Sequence, residues 1–288
     1  MPLTLRRFDA PLGAEVKGLD LAEDMDEATF RAVEDAFNEH SVLVFRDQRL
    51  GEARQLAFSR RFGPLEVHVL DQYNHPRHPE ILIVSNVMEG DRHVGIYDAG
   101  RYWHTDLSYM EVPSRGSMLY ALEIPERDGK PLGDTLFAST TAAYDALPEA
   151  TKQRIEGLSA VYSLDHRHKR LVADGDAEAV LSDTHKAKAP EVVHRIVQTH
   201  PVTGRKILYV NEGQTARILD LPEDEGQALL EELCAACTRP ELVYRHNWRV
   251  GDVVLWDNLP TQHIAICDYA LPQRRYLHRT TLRGVPVP

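Results

Sequence analysis

Short runs of β-branched and aromatic residues recur along the chain, and they constrain its fold more than any other feature of the sequence. The clearest runs predict strands at residues 41–45, 81–85, 117–124 and 253–256. Further strands are predicted at residues 102–108, 134–138, 192–199, 207–210, 241–246 and 274–282. Many short strands separated by turn residues predict a mainly β fold, either a β-barrel or a double-sheet jelly roll.

Helices are predicted before and between these strands, and we expect them to flank the β-structure. The helical spacing of apolar residues is clearest in residues 26–40, and further helices are predicted at residues 52–62, 140–158 and 222–237. A chain of 288 residues can bury a large core without disulfides or a structural metal. We therefore expect one domain spanning residues 1–288.

Residues 164–191 differ from the rest, because they are charged, rich in His and Ala, and without a strand period. We interpret them as a long irregular loop that forms a lid. The cluster of His166, His168 and Lys169 invites interpretation as a metal site. A solvated loop is favoured, because the cluster lacks a carboxylate or cysteine at a binding spacing.

The charge balance limits the classes of partner. The chain has 33 basic and 44 acidic residues and a net charge of -11, which argues against nucleic acid or an anionic membrane as the main partner. An anionic substrate would need a local basic pocket. The sequence shows no apolar run of signal-peptide or membrane-spanning length, and its three cysteines suit a reducing compartment. We expect a cytoplasmic protein.

Two of these cysteines, Cys234 and Cys237, form a C-A-A-C pattern that could mark a redox pair or a zinc site. Both lie inside the predicted helix at residues 222–237. Packing of that helix is therefore the favoured interpretation.

The tetrapeptide Trp103-His104-Thr105-Asp106 is the strongest candidate for chemistry. On a strand, residues i and i+2 point to the same face, so His104 and Asp106 would present an imidazole and a carboxylate side by side. Two histidines and one carboxylate are the ligands of non-haem Fe(II) oxygenases. By itself the pattern is weak, since an ordinary hydrogen-bonded pair explains it equally well, and a third ligand must come from elsewhere.

Other short motifs follow in order along nearly the whole chain. They are Phe62-Gly63-Pro64-Leu65, Gly133-Asp134-Thr135-Leu136, Asn211-Glu212-Gly213, Trp256-Asp257-Asn258, Gln262-His263, Gln273-Arg274-Arg275 and His278-Arg279. Together with the tetrapeptide, these motifs resemble the taurine dioxygenase and 2,4-dichlorophenoxyacetate dioxygenase family of Fe(II)- and 2-oxoglutarate-dependent oxygenases. The resemblance implies a double-stranded β-helix, which is the jelly-roll, cupin-like fold.

The resemblance also implies a catalytic iron centre. Its ligands would be His104, Asp106 and His263, and its cofactors Fe(II), the cosubstrate 2-oxoglutarate and O2. Considered alone, His263 would be interpreted as a packed core histidine. The presence of Asp106 favours hydroxylation, because related halogenases lack this carboxylate and bind halide in its place.

Arg275 and Arg279 lie beyond His263 and share parity, so both can face the interior from one strand. By resemblance, Arg275 and the hydroxyl of Thr135 bind the distal carboxylate of 2-oxoglutarate, and Arg279 binds the anionic head of the substrate. Arg274 is expected to be a surface charge on the opposite face.

The substrate pocket resembles that of taurine dioxygenase only in part. His68 stands at the position of a sulfonate-binding histidine, whereas Gly100 replaces a substrate-contacting asparagine and Leu164 and Gln214 replace two phenylalanines. An anion-binding pair of His68 and Arg279 in a pocket with a changed wall implies a small sulfonate, sulfate ester or carboxylate other than taurine, and the changed wall leaves bulkier substrates open.

The leading hypothesis is thus a dioxygenase that hydroxylates a small anionic organic substrate and decarboxylates 2-oxoglutarate to succinate and CO2. A lid at residues 164–191 would shield the site from water. A non-catalytic jelly-roll protein that binds a small anion is the alternative. A zinc hydrolase is less favoured, because it gives the arginine pair no role. We expect a homo-oligomer, a dimer or tetramer, with no nucleic-acid or membrane partner.

Overall fold

The fold, seen in a computed structural model that describes residues 3–97, 100–176 and 179–284, is mainly β with helices packed outside. The strands are β1 (Thr4–Arg7), β2 (Ala14–Lys17), β3 (Val42–Phe45), β4 (Asn74–His75), β5 (His78–Ser85), β6 (Met88–Glu89), β7 (Arg92–His93), β8 (Gly116–Glu123), β9 (Glu126–Arg127), β10 (Lys130–Pro131), β11 (Thr135–Ser139), β12 (Ser159–Tyr162), β13 (Val192–Arg195), β14 (Val197–Thr199), β15 (Lys206–Leu208), β16 (Thr215–Ile218), β17 (Val243–His246), β18 (Val253–Asp257), β19 (Thr261–Ala265) and β20 (Tyr276–Leu282). The α-helices are α1 (Glu27–His40), α2 (Glu52–Arg60), α3 (Thr140–Asp145), α4 (Glu149–Ile155), α5 (Leu164–Ala173), α6 (Asp183–Lys188) and α7 (Glu223–Cys237). Among these residues no helix is long and apolar enough to span a membrane.

The largest sheet has eight strands in the order β1-β2-β3-β18-β8-β20-β5-β4. Its pairs are antiparallel except for β2 and β3. Both faces of its central strands are buried, which explains why β3 and β18 are apolar at every position but the last of β18. The sheet therefore has a core on each side.

The helices α1 and α2 cover the outer face of this sheet. Phe30, Val33 and Phe37 of α1 pack with Leu43 and Phe45 of β3 in one apolar cluster. The side chain of the N-cap residue of α1, an aspartate, accepts a hydrogen bond from the backbone N–H three residues later, which fixes where the helix begins. Both helices lie within a few residues of the predicted positions.

The inner face packs against a second sheet, in the order β17-β11-β19. Val42 and Val44 of β3, alternating with the outer-face residues, meet Phe137 of β11 in a core that also contains Trp248 and Trp256. The space between the two sheets is therefore where β11 and β19 bring residues of the predicted motifs next to the large sheet.

A third apolar cluster lies around α3, α7 and the strands β12 and β15. It includes Cys237, which is fully buried, while Cys234 packs against it and is partly exposed. Both thiols are free, and the prediction that they serve helix packing is confirmed.

Three sequence-based predictions of secondary structure were wrong. Residues 102–108 form no strand, since the chain turns at Leu107 with a φ of 56°. Residues 164–191, predicted to be irregular, contain α5 and α6, and residues 177 and 178 lie outside the described part. The single helix predicted at residues 140–158 is two helices, because Pro148 starts α4 in an extended conformation.

Candidate metal centre and its two cavities

Three buried residues meet at one point between the two sheets. One possible ligand atom from each of His104, Asp106 and His263 lies within 4.8 Å of the others. Their exposed fractions are 8%, 4% and 7%. Among the described residues, this is the only group of His, Cys, Asp and Glu side chains with metal-binding spacing, and it does not include His166 or His168.

A main-chain bridge joins the two histidines, although they are far apart in sequence. The N–H of His104 donates to the carbonyl of His263 at 3.1 Å, and the N–H of His263 donates back at 2.9 Å. This bridge, rather than a strand through residues 102–108, orients His104. The Nδ1–H of His104 donates to the carbonyl of Tyr102 at 2.9 Å, so Nε2 is the nitrogen left to bind a metal.

Hydrogen bonds fix both oxygens of Asp106. Oδ1 accepts from the guanidinium of Arg279 at 3.0 Å, and Oδ2 accepts from the hydroxyl of Ser117 at 2.7 Å. The side-chain amide of Asn258 donates in turn to Ser117 at 3.3 Å, and the indole N–H of Trp256 donates to Asn258 at 2.7 Å. This chain of donors holds the carboxylate in one orientation.

The surroundings of Asp106 and His263 favour the forms of these two side chains that bind a metal. Burial alone would raise the pKa of Asp106, but Arg279 and the two histidines hold that pKa well below its usual value. Burial, and then the neighbouring His104, lower the pKa of His263. An ionised carboxylate and a neutral imidazole are the ligand forms that a divalent cation requires.

A small cavity of about 30 Å³ extends from the two histidines to Arg275 and Thr135. Arg275 precedes β20 and is 3% exposed, as is Thr135 at the start of β11. The Nε of Arg275 has no hydrogen-bond partner among the described residues. A buried guanidinium in this position calls for an anion.

Arg274, the neighbouring residue in the sequence, points the other way. It is exposed and forms two hydrogen bonds with Glu123, at 2.7 and 2.9 Å. The prediction that Arg274 is a surface charge is confirmed.

A larger cavity of about 290 Å³ opens on the other side of His104 and Asp106. The residues predicted to contact the substrate, His68, Arg279, Gln214 and Leu164, all line it. His68 accepts a backbone N–H at Nδ1, so its Nε2–H is free to donate. Burial, and then the charge of Arg279, lower the pKa of His68. Arg279 lies in both cavities, and its Nε has no partner among the described residues.

Several residues at the site were missed by sequence reasoning. Arg167 and His168 line the larger cavity, and with Leu171 they follow Leu164, a predicted contact, at helical spacing on α5. This period was readable in the sequence, but the many charges of the segment concealed it. No sequence pattern indicated Ser117, because its hydrogen bond to Asp106 depends on the register of β8.

The donor set fits iron. Two imidazoles and one carboxylate converge, all three are buried, and Nδ1 of His263 has no partner among the described residues. Fe(II) in non-haem oxygenases takes this ligand set and keeps open positions for cosubstrate and oxygen.

Sequence comparison shows which known proteins the chain resembles. The family described as taurine catabolism dioxygenase TauD, TfdA family matches residues 2–281. The chain is 37% identical over 279 residues to the α-ketoglutarate-dependent 2,4-dichlorophenoxyacetate dioxygenase of Cupriavidus pinatubonensis strain JMP 134, which covers 93% of each chain. It is 34% identical over 285 residues to the alkylsulfatase of Acinetobacter baylyi, covering 98% of this chain and 85% of the other.

The fold is also close to a solved structure. The crystal structure of AAD-2 in complex with Mn(II) and N-oxalylglycine superposes with a TM-score of 0.83 and 32% sequence identity, covering 100% of both chains. Similarity therefore extends over the whole chain in both sequence and fold.

Proposed function

Because the chain belongs to the taurine catabolism dioxygenase TauD, TfdA family, we propose that it hydroxylates a small anionic organic substrate through the residues described above. It is a dioxygenase that uses Fe(II), 2-oxoglutarate and O2, and it converts 2-oxoglutarate to succinate and CO2. The alternative of a non-catalytic anion-binding protein is not supported by these relatives. We also propose the jelly-roll topology, a cytoplasmic location and a homo-oligomeric state.

One observation carries the assignment of residues. The three metal-binding side chains lie where two cavities meet, and each cavity contains a buried arginine whose Nε has no partner among the described residues. When bound, Fe(II) and 2-oxoglutarate supply the activation of O2 and the oxidation of a C–H bond. The protein supplies ligands, two anion sites and a dry pocket.

In the smaller cavity, Arg275 and Thr135 bind the distal carboxylate of 2-oxoglutarate. An arginine offers a carboxylate two parallel N–H donors, and a buried charge-assisted pair is both strong and directional. Because this site lies beyond the two histidines, it orients the other end of the cosubstrate toward the metal.

In the larger cavity, Arg279 and His68 bind the anionic head of the substrate. Arg279 already donates to Asp106 through one nitrogen, so the remaining donors hold the anion close to the metal ligand. Leu164 and Gln214 then form part of the wall around the substrate body. Positioning of this kind brings the C–H bond to the metal.

The substrate class follows from the size and lining of this cavity. About 290 Å³ is near the lower limit for sites that enclose drug-sized ligands, roughly 300–1,000 Å³. Leu107, Tyr109 and Leu181 make much of the wall apolar. We therefore favour an aryloxy acid or an alkyl sulfate ester over taurine, in line with the relatives named for 2,4-dichlorophenoxyacetate and alkyl sulfates.

The segment at residues 164–191 acts as the lid of this pocket. Arg170 of α5 donates to the carboxylate of Glu212 at 2.6 Å and lies over the ring of Tyr102, whose hydroxyl donates to Asp174. These contacts tie the lid to the segment that carries the metal ligand His104. Limited proteolysis tests closure, since cleavage in the lid should slow when iron, 2-oxoglutarate and an active substrate are added. Equal cleavage with and without them would count against a lid.

The function is tested by an anaerobic titration of Fe(II)-loaded protein with 2-oxoglutarate. Chelation of a 2-oxo acid gives a weak visible charge-transfer band, which His104→Ala and Arg275→Ala should each weaken. Succinate release is then screened with aryloxy acids, sulfate esters and sulfonates. Absence of the band in the unmodified protein would refute the proposal.

A further inference from the structure

The cosubstrate cavity contains a second layer of contacts that acts on Arg275 and Thr135. The indole N–H of Trp248 donates to the hydroxyl of Thr135 at 3.0 Å. Trp248 is fully buried and stands just after β17, the strand that pairs with β11. Trp248 is not among the residues that line the smaller cavity, so it acts on the cosubstrate site through Thr135 and Arg275.

This hydrogen bond has a directional consequence for Thr135. An indole nitrogen can only donate, so the threonine oxygen must be the acceptor. The hydroxyl hydrogen of Thr135 then points away from Trp248, and none of the described residues accepts it in the structure. The hydroxyl of Thr135 is therefore available to donate into the smaller cavity.

The guanidinium of Arg275 lies near two aromatic rings. Its Cζ is 5.9 Å from the ring centre of Trp248 and 5.8 Å from that of Tyr269. Both distances are within the range of a cation–π contact, which favours a desolvated arginine. Gly133 closes the arrangement, since a Cβ there would lie 2.9 Å from the ring of Tyr269 and 3.0 Å from Nε of Arg275.

The backbone of Arg275 is fixed as well. Its N–H donates to the side chain of Asn86 at 2.9 Å, and its carbonyl accepts from Ser85 at 2.7 Å. The described residues that line the smaller cavity include no carboxylate, so the charge of Arg275 is not neutralised there. These contacts fix the backbone of the arginine, and its guanidinium donates to the carbonyl of Gly133 at 3.5 Å.

Building on the proposed function, we propose that Trp248 is a positioning residue for 2-oxoglutarate. Its N–H sets the Thr135 hydroxyl as a donor to the distal carboxylate, and its ring, with that of Tyr269, orients Arg275 toward the same carboxylate. Trp248 therefore contributes to the selection of a 2-oxo acid that carries a second carboxylate.

The test compares two 2-oxo acids in the anaerobic Fe(II) titration. The Trp248→Phe variant keeps an aromatic ring but loses the N–H, and we expect the dissociation constant of 2-oxoglutarate to rise about fivefold, the effect of one hydrogen bond of about 1 kcal/mol. Pyruvate has no distal carboxylate, so its dissociation constant should stay within about twofold. Equal weakening of both acids, or of neither, would overturn the proposal.

A double-mutant cycle tests whether Trp248 acts through Thr135. In Thr135→Val protein, which has lost the hydroxyl, Trp248→Phe should weaken 2-oxoglutarate binding by less than about twofold more. A full additional fivefold effect would show that Trp248 acts independently of Thr135 and would overturn the proposal.

Tyr120→Phe is the matched control. It removes a buried hydroxyl that accepts the N–H of Leu50 at 3.1 Å in the outer core, so it should lower the melting temperature without changing the binding of either acid. If Trp248→Phe does not fold, 3-benzothienylalanine at this position removes the donor while keeping the two-ring shape. A missing charge-transfer band in the unmodified protein refutes the proposed function itself, which distinguishes the two failures.

Discussion

Ser117 offers a direct test of how the fold holds the metal ligand Asp106. The Ser117→Ala change removes a single donor, 2.7 Å from Oδ2, from a carboxylate that is 4% exposed. A hydrogen bond to a charged group contributes roughly 1.5–3 kcal/mol, and each 1.4 kcal/mol corresponds to a factor of about ten. We therefore expect the dissociation constant of the metal to rise about 10- to 100-fold, the usual effect of losing such a supporting contact.

The assay uses Mn(II) as the probe, because free Mn(II) is counted directly by its electron paramagnetic resonance signal. Metal-free protein is titrated with Mn(II), and the melting temperature is recorded without metal. Ser59→Ala is the matched control: Ser59 is 1% exposed, and its hydroxyl lies 2.7 Å from that of Thr280, on the outer side of the sheet. The control should lose some thermal stability and bind Mn(II) like the unmodified protein.

Two results would refute this reasoning. Unchanged Mn(II) affinity in Ser117→Ala would mean that Arg279 and the backbone alone orient the carboxylate. Equal weakening in Ser59→Ala would mean that the loss reflects general destabilisation rather than the contact with Asp106.

Three further predictions concern stability, the pocket and the lid. Burial and then His75 lower the pKa of His278 from 6.5 to about 4, so stability present above pH 6.5 is lost as the pH falls toward about 4. Urea unfolding should show that the free energy of unfolding at about pH 5 is lower than above pH 6.5 by up to about 2 kcal/mol. The decrease should be smaller in the His278→Gln variant, and identical decreases in the two proteins would contradict this prediction. Leu164→Phe should raise the KM for aryloxy acids several-fold while leaving short sulfate esters unaffected in succinate-release assays, and a uniform change would argue against a steric wall. Arg170→Ala should speed thermolysin cleavage of the lid several-fold, whereas unchanged cleavage would show that the contacts of Arg170 do not hold it.

Local sequence patterns predicted the helices and strands whose buried residues recur at regular helix or strand spacing. The helix α1 was predicted within one residue at its start from its amphipathic spacing, and in the structure a capping aspartate fixes that start. The antiparallel strands β14 and β15 lie within or next to the strands predicted at residues 192–199 and 207–210. Where charge masked the apolar stripe, as in α5, the same reasoning failed.

The candidate metal ligands were predicted by motif, but the reason for their convergence was not. His104 was expected on a strand, whereas a single bridge to His263 and a turn at Leu107 place it beside Asp106. Contacts such as Trp248 with Thr135 join residues 113 positions apart, and their existence depends on strand register that no local pattern reveals.

The order of the strands has a consequence for how the protein matures during synthesis. Among the described residues, β20 is the last strand, and it lies in the interior of the eight-stranded sheet, between β8 and β5. The preceding strand, β19, supplies His263. Contacts of such long sequence separation form late in folding, after the intervening loop entropy has been overcome. A nascent chain can therefore assemble both helices of the outer face while it still lacks one metal ligand and both pocket arginines. The metal site is therefore complete, and oxidation can begin, only after β19 and β20 have been synthesised and have joined their sheets.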